Sequence, residues 1–247
     1  QDIVRVVQHL KGMAPFKNAR VILLGQSEGA TLAPFAARQC PEIDALLLMG
    51  FSCGNMRDIM DWQLSGGSSM VHILAWFDFD HKGYVTQEDF EKDTFGARRL
   101  AFPDTSFEEL DRNGDEKLTQ EDFADMLSQY KKQVFDAIER GDDDWLMTQY
   151  DVPITSGWAR EHFEMPSAVE PLMQLDIPVT VFRGENDANI PSSDMEALAQ
   201  AVQGSGKRNI IIKRYPLHDH DMNYLFYPLR GEISFGLLEV FDAAEKV

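Results

Sequence analysis

The apolar and polar positions in the first fifty residues change between a helical pattern and a strand pattern. Residues 2–11 place apolar side chains at helical spacing, which predicts an amphipathic helix. Residues 20–24 are an arginine followed by four apolar residues, a pattern typical of a strand buried on both faces of a parallel sheet. After a glycine-containing turn the pattern predicts a helix over 28–39 and a second buried strand over 45–49. The alternation predicts an α/β fold with a parallel sheet.

The strand pattern stops in the middle of the chain. Residues 54–170 have helical periodicity but no convincing buried strand. The earlier pattern then resumes with strand 177–182, helix 192–202, strand 209–215 and helix 230–245. The middle section is therefore predicted to be an insertion between two strands of one sheet.

The turn after the first predicted strand has the sequence Gly-Gln-Ser-Glu-Gly at 25–29. A sharp turn there would put Ser27 at its tip in a strained backbone conformation, with glycines on both sides leaving room for the turn. The hydroxyl would lie at a helix N-terminus, which favours negative charge. The main-chain amide of Glu28 is then a candidate oxyanion donor. The alternative is an ordinary strand-to-helix turn, since glycine and serine are common in loops.

Two later loops contain groups that suit a nucleophilic serine. Asp187 follows the strand predicted at 177–182 and is placed to orient an imidazole. His218 and His220 follow the strand predicted at 209–215. A histidine in that loop could remove the serine proton and return it to the leaving group. The order Ser, Asp, His along the chain is that of α/β-hydrolases.

With these motifs the chain resembles the α/β-hydrolase superfamily, specifically the serine esterases and peptidases with a Gly-x-Ser-Glu-Gly turn. The resemblance covers about 1–60 and 150–247. It implies a parallel sheet and a catalytic triad. The implied nucleophile, acid and base are Ser27, Asp187 and His220.

The resemblance also decides which of the two histidines is the base. The chain itself departs from the family pattern at two points. The family often has a Pro-Gly-x-Asp-His-Asp-like loop, and the stretch 216–221 aligns with it so that His220, not His218, is the base. The family glycine is replaced by Leu217. The family fold also has strands, and a loop with the second oxyanion donor, before the first helix seen here, so strands upstream of Gln1 are expected.

Charge and hydropathy narrow the possible partners. The 247 residues have a formal charge of −18 and offer no basic stripe for phosphates, so nucleic acid is not an expected partner. No apolar run approaches the length of a membrane span, so none is expected. The negative charge is concentrated in residues 66–130, which contain 15 acidic and 6 basic side chains.

This acidic segment contains an internal repeat. The stretches 78–89 and 111–122 align at an offset of 33, and each ends in Thr-Gln-Glu-Asp before a phenylalanine. Their oxygen-bearing residues match the ligand positions 1, 3, 5, 7, 9 and 12 of a 12-residue calcium loop. Over about 66–130 the chain resembles a pair of EF-hands. The candidate ligands are Asp78, Asp80, Tyr84, Thr86 and Asp89 in the first loop and Asp111, Asn113, Asp115, Lys117, Thr119 and Asp122 in the second.

Both loops depart from the usual pattern. Lys82 occupies position 5 of the first loop, where a cation removes a ligand and repels the ion. Glu116 occupies position 6 of the second loop, where a left-handed backbone costs a non-glycine residue roughly 1 kcal/mol. Both loops end in the shorter Asp instead of Glu, which makes magnesium a second candidate ion. Val85 and Leu118, at position 8, are expected to pair the loops, and the alternative is a degenerate pair that packs without metal.

Insertions at this point form the cap over the active site in many α/β-hydrolases, so the resemblance implies a calcium-binding, all-α cap. The predicted organisation is a first part of the hydrolase core at 1–65, the EF-hand pair at 66–130, and the rest of the cap and core at 131–247. The predicted function is a serine hydrolase that cleaves an ester, thioester or amide of a small-molecule or peptide acyl substrate through an acyl-serine. The alternative is a calcium-binding or interaction protein on a hydrolase scaffold that has lost catalysis.

Overall fold

The computed structural model of the protein describes residues 1–246, which form two compact units. The first unit, here called the α/β unit, consists of residues 1–54 together with the chain from 166 onward. The second unit, here called the helical unit, is the continuous segment Asn55–Met165. The helical unit therefore contains the acidic repeat together with the segments on both sides of it.

The α/β unit is built on one parallel sheet with the strand order β1-β2-β3-β4. The strands are β1 (Ile22–Gln26), β2 (Ala45–Met49), β3 (Val179–Gly184) and β4 (Ile210–Tyr215). The α/β fold and all four predicted strands are confirmed, with shifts of no more than two residues at their ends. β1 and β2 precede the helical unit in the sequence, and β3 and β4 follow it. The middle section is therefore an insertion between β2 and β3.

The helices follow the predicted order. In chain order they are α1 (Asp2–Gly12), α2 (Glu28–Gln39), α3 (Met56–Gln63), α4 (Gly67–Phe77), α5 (Gln87–Lys92), α6 (Ala97–Ala101), α7 (Phe107–Leu110), α8 (Gln120–Arg140), α9 (Asp143–Gln149), α10 (Ser156–Phe163), α11 (Val169–Met173), α12 (Ser192–Ser205), α13 (Tyr227–Arg230) and α14 (Phe235–Lys246). Helices α3 to α10 belong to the helical unit. Within residues 1–246, no helix has both the length and the apolar character that crossing a membrane requires.

The burial of the strands follows from their places in the sheet. β2 lies between β1 and β3 in the sheet, and all five of its residues are buried. β1 is an edge strand, and the side chain of Leu24 is 52% exposed. The prediction that this strand is buried on both faces is therefore wrong, because Leu24 lies outside the hydrophobic clusters in which Ile22 and Leu23 pack.

The main core of the α/β unit forms where α2 packs on the sheet. This helix presents small side chains to the sheet, so its backbone can approach the strands closely. The buried alanines of α2 are Ala30, Ala33, Ala36 and Ala37. They share the core with strand side chains such as Leu46, Leu48 and Val181.

The closing helix begins later than predicted. The segment predicted as one helix over 230–245 is the end of α13 followed by α14. Gly231 lies between them with a φ of +67°, the left-handed conformation that ends α13. The glycine therefore divides the predicted helix.

The helical unit has two hydrophobic clusters. One surrounds the acidic repeat and includes Phe77, Phe90 and Phe107. The position-8 residues of the two loops pair as predicted: Val85 and Leu118 exchange main-chain hydrogen bonds of 3.2 and 2.7 Å in an antiparallel bridge. The other cluster contains most of the remaining aromatic side chains, among them Trp145, Tyr150, Trp158 and Phe163.

Candidate active site

Ser27 lies at the turn between β1 and α2, as predicted. Its φ of 54° and ψ of −119° are unusual for a residue with a side chain, a strain of roughly 1–3 kcal/mol. The turn is held by the amide of Ser27, which donates to the carbonyl of Met49 at 2.9 Å. Ser27 is exposed, and Glu28 begins α2, so the Glu28 amide lies at the helix N-terminus. Strain at an exposed serine is the geometry expected of a presented nucleophile.

The two glycines of the turn have different roles. A Cβ built on Gly25 would lie 2.5 Å from the carbonyl oxygen of Gly29 and 2.7 Å from Cα of Ala30. Gly25 therefore allows α2 to approach β1. A Cβ built on Gly29 would have no described heavy atom within 4 Å outside its own helix turn. The expectation that glycines on both sides remove collisions holds for Gly25 and is wrong for Gly29, because the Gly29 side faces open space.

Asp187 is a fully buried carboxylate that accepts hydrogen bonds on both oxygens. Oδ1 accepts the amides of Asn189 at 2.8 Å and Ile190 at 3.2 Å. Oδ2 accepts Nη1 of Arg183 at 2.6 Å and Nδ1 of His220 at 2.9 Å. The loop after β3 therefore fixes the carboxylate against the imidazole, as the sequence predicts for an orienting acid.

His220 is buried with one ring nitrogen engaged and the other without a partner. Nδ1 donates to Asp187, so in a neutral imidazole the lone pair is on Nε2. Nε2 has no hydrogen-bond partner in the described structure. A Cβ on Gly50 would lie only 2.4 Å from Cε1 of the ring, so the imidazole packs on a bare backbone just after β2. This tautomer is the one that a general base requires.

His218 has different contacts. Its Nδ1 lies 2.8 Å from the carbonyl of Pro216, and its Nε2 accepts the amide of Gly236 at 3.1 Å. Both nitrogens are therefore used in positioning the loop. The structure places His220, and not His218, against Asp187.

Two links connect the serine turn with the histidine loop. The side-chain amide of Gln26, which precedes Ser27, donates to Oδ1 of Asp221, which follows His220. The amide of Ser27 donates to the carbonyl of Met49, and the ring of His220 packs on Gly50, the next residue along the chain. Within residues 1–246, no hydrogen bond joins Oγ of Ser27 to Nε2 of His220. Such bonds are often long before substrate is bound.

Arg183 is a part of this site that the sequence reasoning missed. Its side chain is 5% exposed and that of Asp187 is 0% exposed. Burial lowers the pKa of Arg183, and the charge of Asp187 opposes this shift. A second guanidinium nitrogen, Nη2, donates to the carbonyl of Ile190 at 2.5 Å. The signal was an arginine at the end of the otherwise uncharged strand Val-Thr-Val-Phe, four residues before the acid.

Asp221 contributes a second carboxyl close to the histidine. Burial raises the pKa of Asp221, while the neighbouring His220 and the hydrogen bond from Gln26 act in the opposite direction. The result is a carboxyl that holds its proton more readily than an exposed aspartate.

In the first predicted metal loop a lysine lies among the carboxylates. Nζ of Lys82 is 2.6 Å from Oδ2 of Asp89 and 3.0 Å from Oδ1 of Asp80. Partial burial raises the pKa of Asp89, but hydrogen bonds from Lys82 and Thr86 outweigh this and lower it. The predicted ligands Asp80, Thr86 and Asp89 therefore contact one another or the lysine.

In the same loop the predicted ligand at position 1 is hydrogen-bonded to the main chain. Asp78 accepts the amide of Lys82 at 3.0 Å and that of Gly83 at 2.8 Å. At position 7 of the two loops, Nζ of Lys117 lies 5.0 Å from the centre of the Tyr84 ring. The side chains of Lys117 and Tyr84 therefore lie next to each other between the two loops.

In the second predicted metal loop the side-chain oxygens accept main-chain amides. Asp111 accepts three, from positions 4, 5 and 6, at 2.9, 3.2 and 2.9 Å. Asn113 and Asp115 each accept the amide two residues ahead, at 3.0 and 3.1 Å. Asp122 accepts the amide of Thr119 at 2.8 Å and its hydroxyl at 3.0 Å.

The predicted strain in this loop is present, since Glu116 has a φ of 65°. Among residues 1–246, no three His, Cys, Asp or Glu side chains are grouped as a metal site. The expected ligands are therefore in paired loops, but their carboxylates are turned onto amides and, in the first loop, onto Lys82.

Comparison with known proteins finds similarity to solved structures. No protein-family model matches the sequence, and no curated protein matches it. A carboxyl esterase from Bacillus coagulans is 16% identical with a TM-score of 0.46, covering 97% of this chain and 68% of that one. An E-2-(acetamidomethylene)succinate hydrolase is 13% identical with a TM-score of 0.43, covering 92% and 68%.

A meta-cleavage product hydrolase from Pseudomonas fluorescens is also similar, at 16% identity and a TM-score of 0.42, covering 98% of this chain and 71% of that one. With identities and TM-scores this low, these similarities assign neither a family nor a substrate to the chain.

Proposed function

We propose that the chain is a serine hydrolase of the α/β-hydrolase type, which cleaves an ester, thioester or amide through an acyl-serine. One observation carries the proposal: Asp187 holds the buried His220 by Nδ1 and leaves Nε2 unpartnered within the described residues. The strained, exposed turn of Ser27 supports it, because the strain has no evident structural purpose.

The chemistry follows from the role of each group. Oγ of Ser27 attacks the acyl carbon while Nε2 of His220 takes the hydroxyl proton. Asp187 stabilises the imidazolium that results. The amide of Glu28 donates to the oxygen that becomes negative. Collapse of the tetrahedral intermediate breaks the bond to the leaving group, which receives the proton from His220.

The second half of the reaction regenerates the serine. His220, again neutral, removes a proton from water, and the hydroxide attacks the acyl-serine. The tetrahedral intermediate releases the acid, and Oγ of Ser27 recovers a proton from the imidazolium. The substrate class is therefore a small-molecule or peptide acyl compound.

We propose in addition that the second loop of the helical unit binds calcium, with magnesium as the second candidate. Its donors fit a hard cation, because Asp111, Asn113 and Asp115 offer oxygens at positions 1, 3 and 5, and Thr119 and Asp122 follow at 9 and 12. A bound ion would offset the excess negative charge of the loop, which has five acidic and two basic side chains. The expected effect is stabilisation of the helical unit.

A fluorophosphonate probe tests the hydrolase proposal directly, because it reacts with activated serines. Ser27→Ala should abolish labelling, and the matched control Ser193→Ala, at an exposed serine of α12, should leave it unchanged. His220→Ala should slow labelling strongly, whereas His218→Ala should have a much smaller effect. Labelling that survives in Ser27→Ala would reject the proposal.

The second candidate function is a binding protein on a hydrolase scaffold without catalysis. It is favoured by the fact that no hydrogen bond joins Ser27 to His220 in residues 1–246. Under this alternative the wild-type chain neither reacts with the probe nor hydrolyses short p-nitrophenyl esters, while calcium binding persists.

A further inference from the structure

We propose that Lys82 is the resident cation of the first loop. Its ammonium lies where a metal ion would, so the two loops together take up one calcium ion and not two. The role of Lys82 stands on its own contacts. The count of one ion rests on the proposed calcium binding by the second loop. The experiments below separate the two.

The ammonium of Lys82 joins two carboxylates from opposite ends of the loop. Asp80 holds position 3 and Asp89 holds position 12, which are ligand positions in a calcium loop. Nζ lies 2.6 Å from Oδ2 of Asp89 and within 3.0 and 3.3 Å of the two oxygens of Asp80. The side chains of Lys82 and Asp89 are each 21% exposed and that of Asp80 is 66% exposed, so the contact with Asp89 is the better shielded of the two.

Three of the predicted ligands of the loop, Asp78, Thr86 and Asp89, also have hydrogen-bond partners within the protein. Asp78 accepts two main-chain amides, and its residue is only 6% exposed. Oδ2 of Asp89 also accepts the amide and the hydroxyl of Thr86, at 2.9 and 2.6 Å, which closes the capping box of α5. The loop is thus folded around its own positive charge.

A calcium ion entering this loop would have to displace the ammonium. The two cations cannot share one set of carboxylates, because their repulsion at such short range is large outside bulk water. Displacement would also break three close contacts of Lys82. In the second loop position 5 is Asp115, and the carboxylate of Asp111 accepts uncharged amides. In that loop no lysine at position 5 competes with a cation from solution.

Calorimetric titration of the chelator-stripped full chain with calcium chloride counts the ions. The wild type should bind one ion and Asp111→Ala none. Lys82→Asp, which restores the usual ligand at position 5, should bind two. Combining Lys82→Asp with Asp111→Ala should leave one, now in the first loop.

Each outcome bears on one of the two proposals. If wild type binds no ion but Lys82→Asp gains one, calcium binding by the second loop fails and the role of Lys82 stands. If Asp111→Ala still binds an ion, or wild type binds two, the first loop takes calcium and the inference is overturned. A Lys82→Asp chain that gains no ion also overturns it.

A second measurement uses stability in the absence of metal. With excess EGTA, Lys82→Met should lower the melting temperature by roughly 2–4 °C, the shift that the loss of one substantial interaction gives a chain of this size. The matched control Lys92→Met removes the same charge from the exposed end of α5 and should leave it unchanged. Equal melting temperatures for the two variants would contradict a resident cation at Lys82.

Discussion

A buried ion pair joins Arg183, near the end of β3, to Asp187, in the loop that positions His220. Nη1 of the arginine lies 2.6 Å from Oδ2 of the aspartate, and the same oxygen accepts Nδ1 of the histidine at 2.9 Å. The candidate acid therefore has two partners on one oxygen. The guanidinium holds the carboxylate in place, so Arg183 is a positioning residue for the proposed site.

Removing this partner should be strongly destabilising. Arg183→Met leaves the charge of Asp187 buried and unpaired, which we expect to reduce the free energy of unfolding by about 3–5 kcal/mol. Labelling of Ser27 by a fluorophosphonate should also become slower, because the carboxylate is less well fixed. Urea denaturation and labelling rates measure the two effects.

The control is Arg214→Met, at the position paired with Arg183 in the neighbouring strand. This arginine is exposed, so its substitution should change the free energy of unfolding by less than about 0.5 kcal/mol. Similar losses for the two variants would show that the ion pair is not what stabilises the loop.

The serine turn gives a second prediction from two glycines of the same motif. Gly25→Ala places a Cβ against the backbone of α2 and should destabilise the chain by about 1–3 kcal/mol. Gly29→Ala has space and lies in a helix, so it should be neutral or stabilising by up to about 1 kcal/mol. Equal destabilisation of the two variants in chemical denaturation would contradict the close approach at Gly25.

Asp194 provides a third prediction, because its carboxylate holds the segment 52–54, where the chain leaves the sheet after β2. Its Oδ2 accepts the hydroxyl of Ser52 at 2.6 Å and the amides of Cys53 and Gly54 at 2.8 and 3.2 Å. Asp194→Ala leaves these donors without their acceptor and should cost about 1–3 kcal/mol of unfolding free energy. Glu196→Ala, exposed on the same helix, is the control, and a comparable loss there would count against this role.

The fourth prediction concerns pH and the start of α10. Asp143 accepts the amide of Ser156 at 2.7 Å, and hydrogen bonding from Ser156 lowers the pKa of Asp143 below its usual 3.8. A lowered folded-state pKa gives stability that is complete above the unfolded value and lost as the pH falls through the folded value. The melting temperature of Asp143→Ala should therefore lie furthest below wild type at neutral pH.

This difference should shrink as the pH falls from 3.8 through the lower folded-state pKa, because only below that value is the carboxylate protonated in both states. Asp144→Ala, the exposed neighbour in α9, serves as the control for removing a charge. A difference that stays constant from neutral to acid pH would show that the ionised carboxylate is not responsible.

Local patterns were enough to predict the strands and the order of the site. A buried run such as 45–49 has few alternatives to a central strand, and its five side chains are indeed buried. The turn around Ser27 could be predicted because its residues suit a conformation that is set within a few positions. The antiparallel contact of Val85 with Leu118 followed from the repeat itself.

What the sequence by itself determined is the α/β alternation, the insertion between β2 and β3, and the candidate residues Ser27, Asp187 and His220. Each depends on side-chain periodicity or on short motifs. Only the tertiary structure decided that Arg183 shares the carboxylate of Asp187, and that the ammonium of Lys82 lies between Asp80 and Asp89. The reason is physical: a charged side chain acquires its role from the partners and the burial that folding brings to it, and spacing along the chain does not specify where a long, flexible side chain ends.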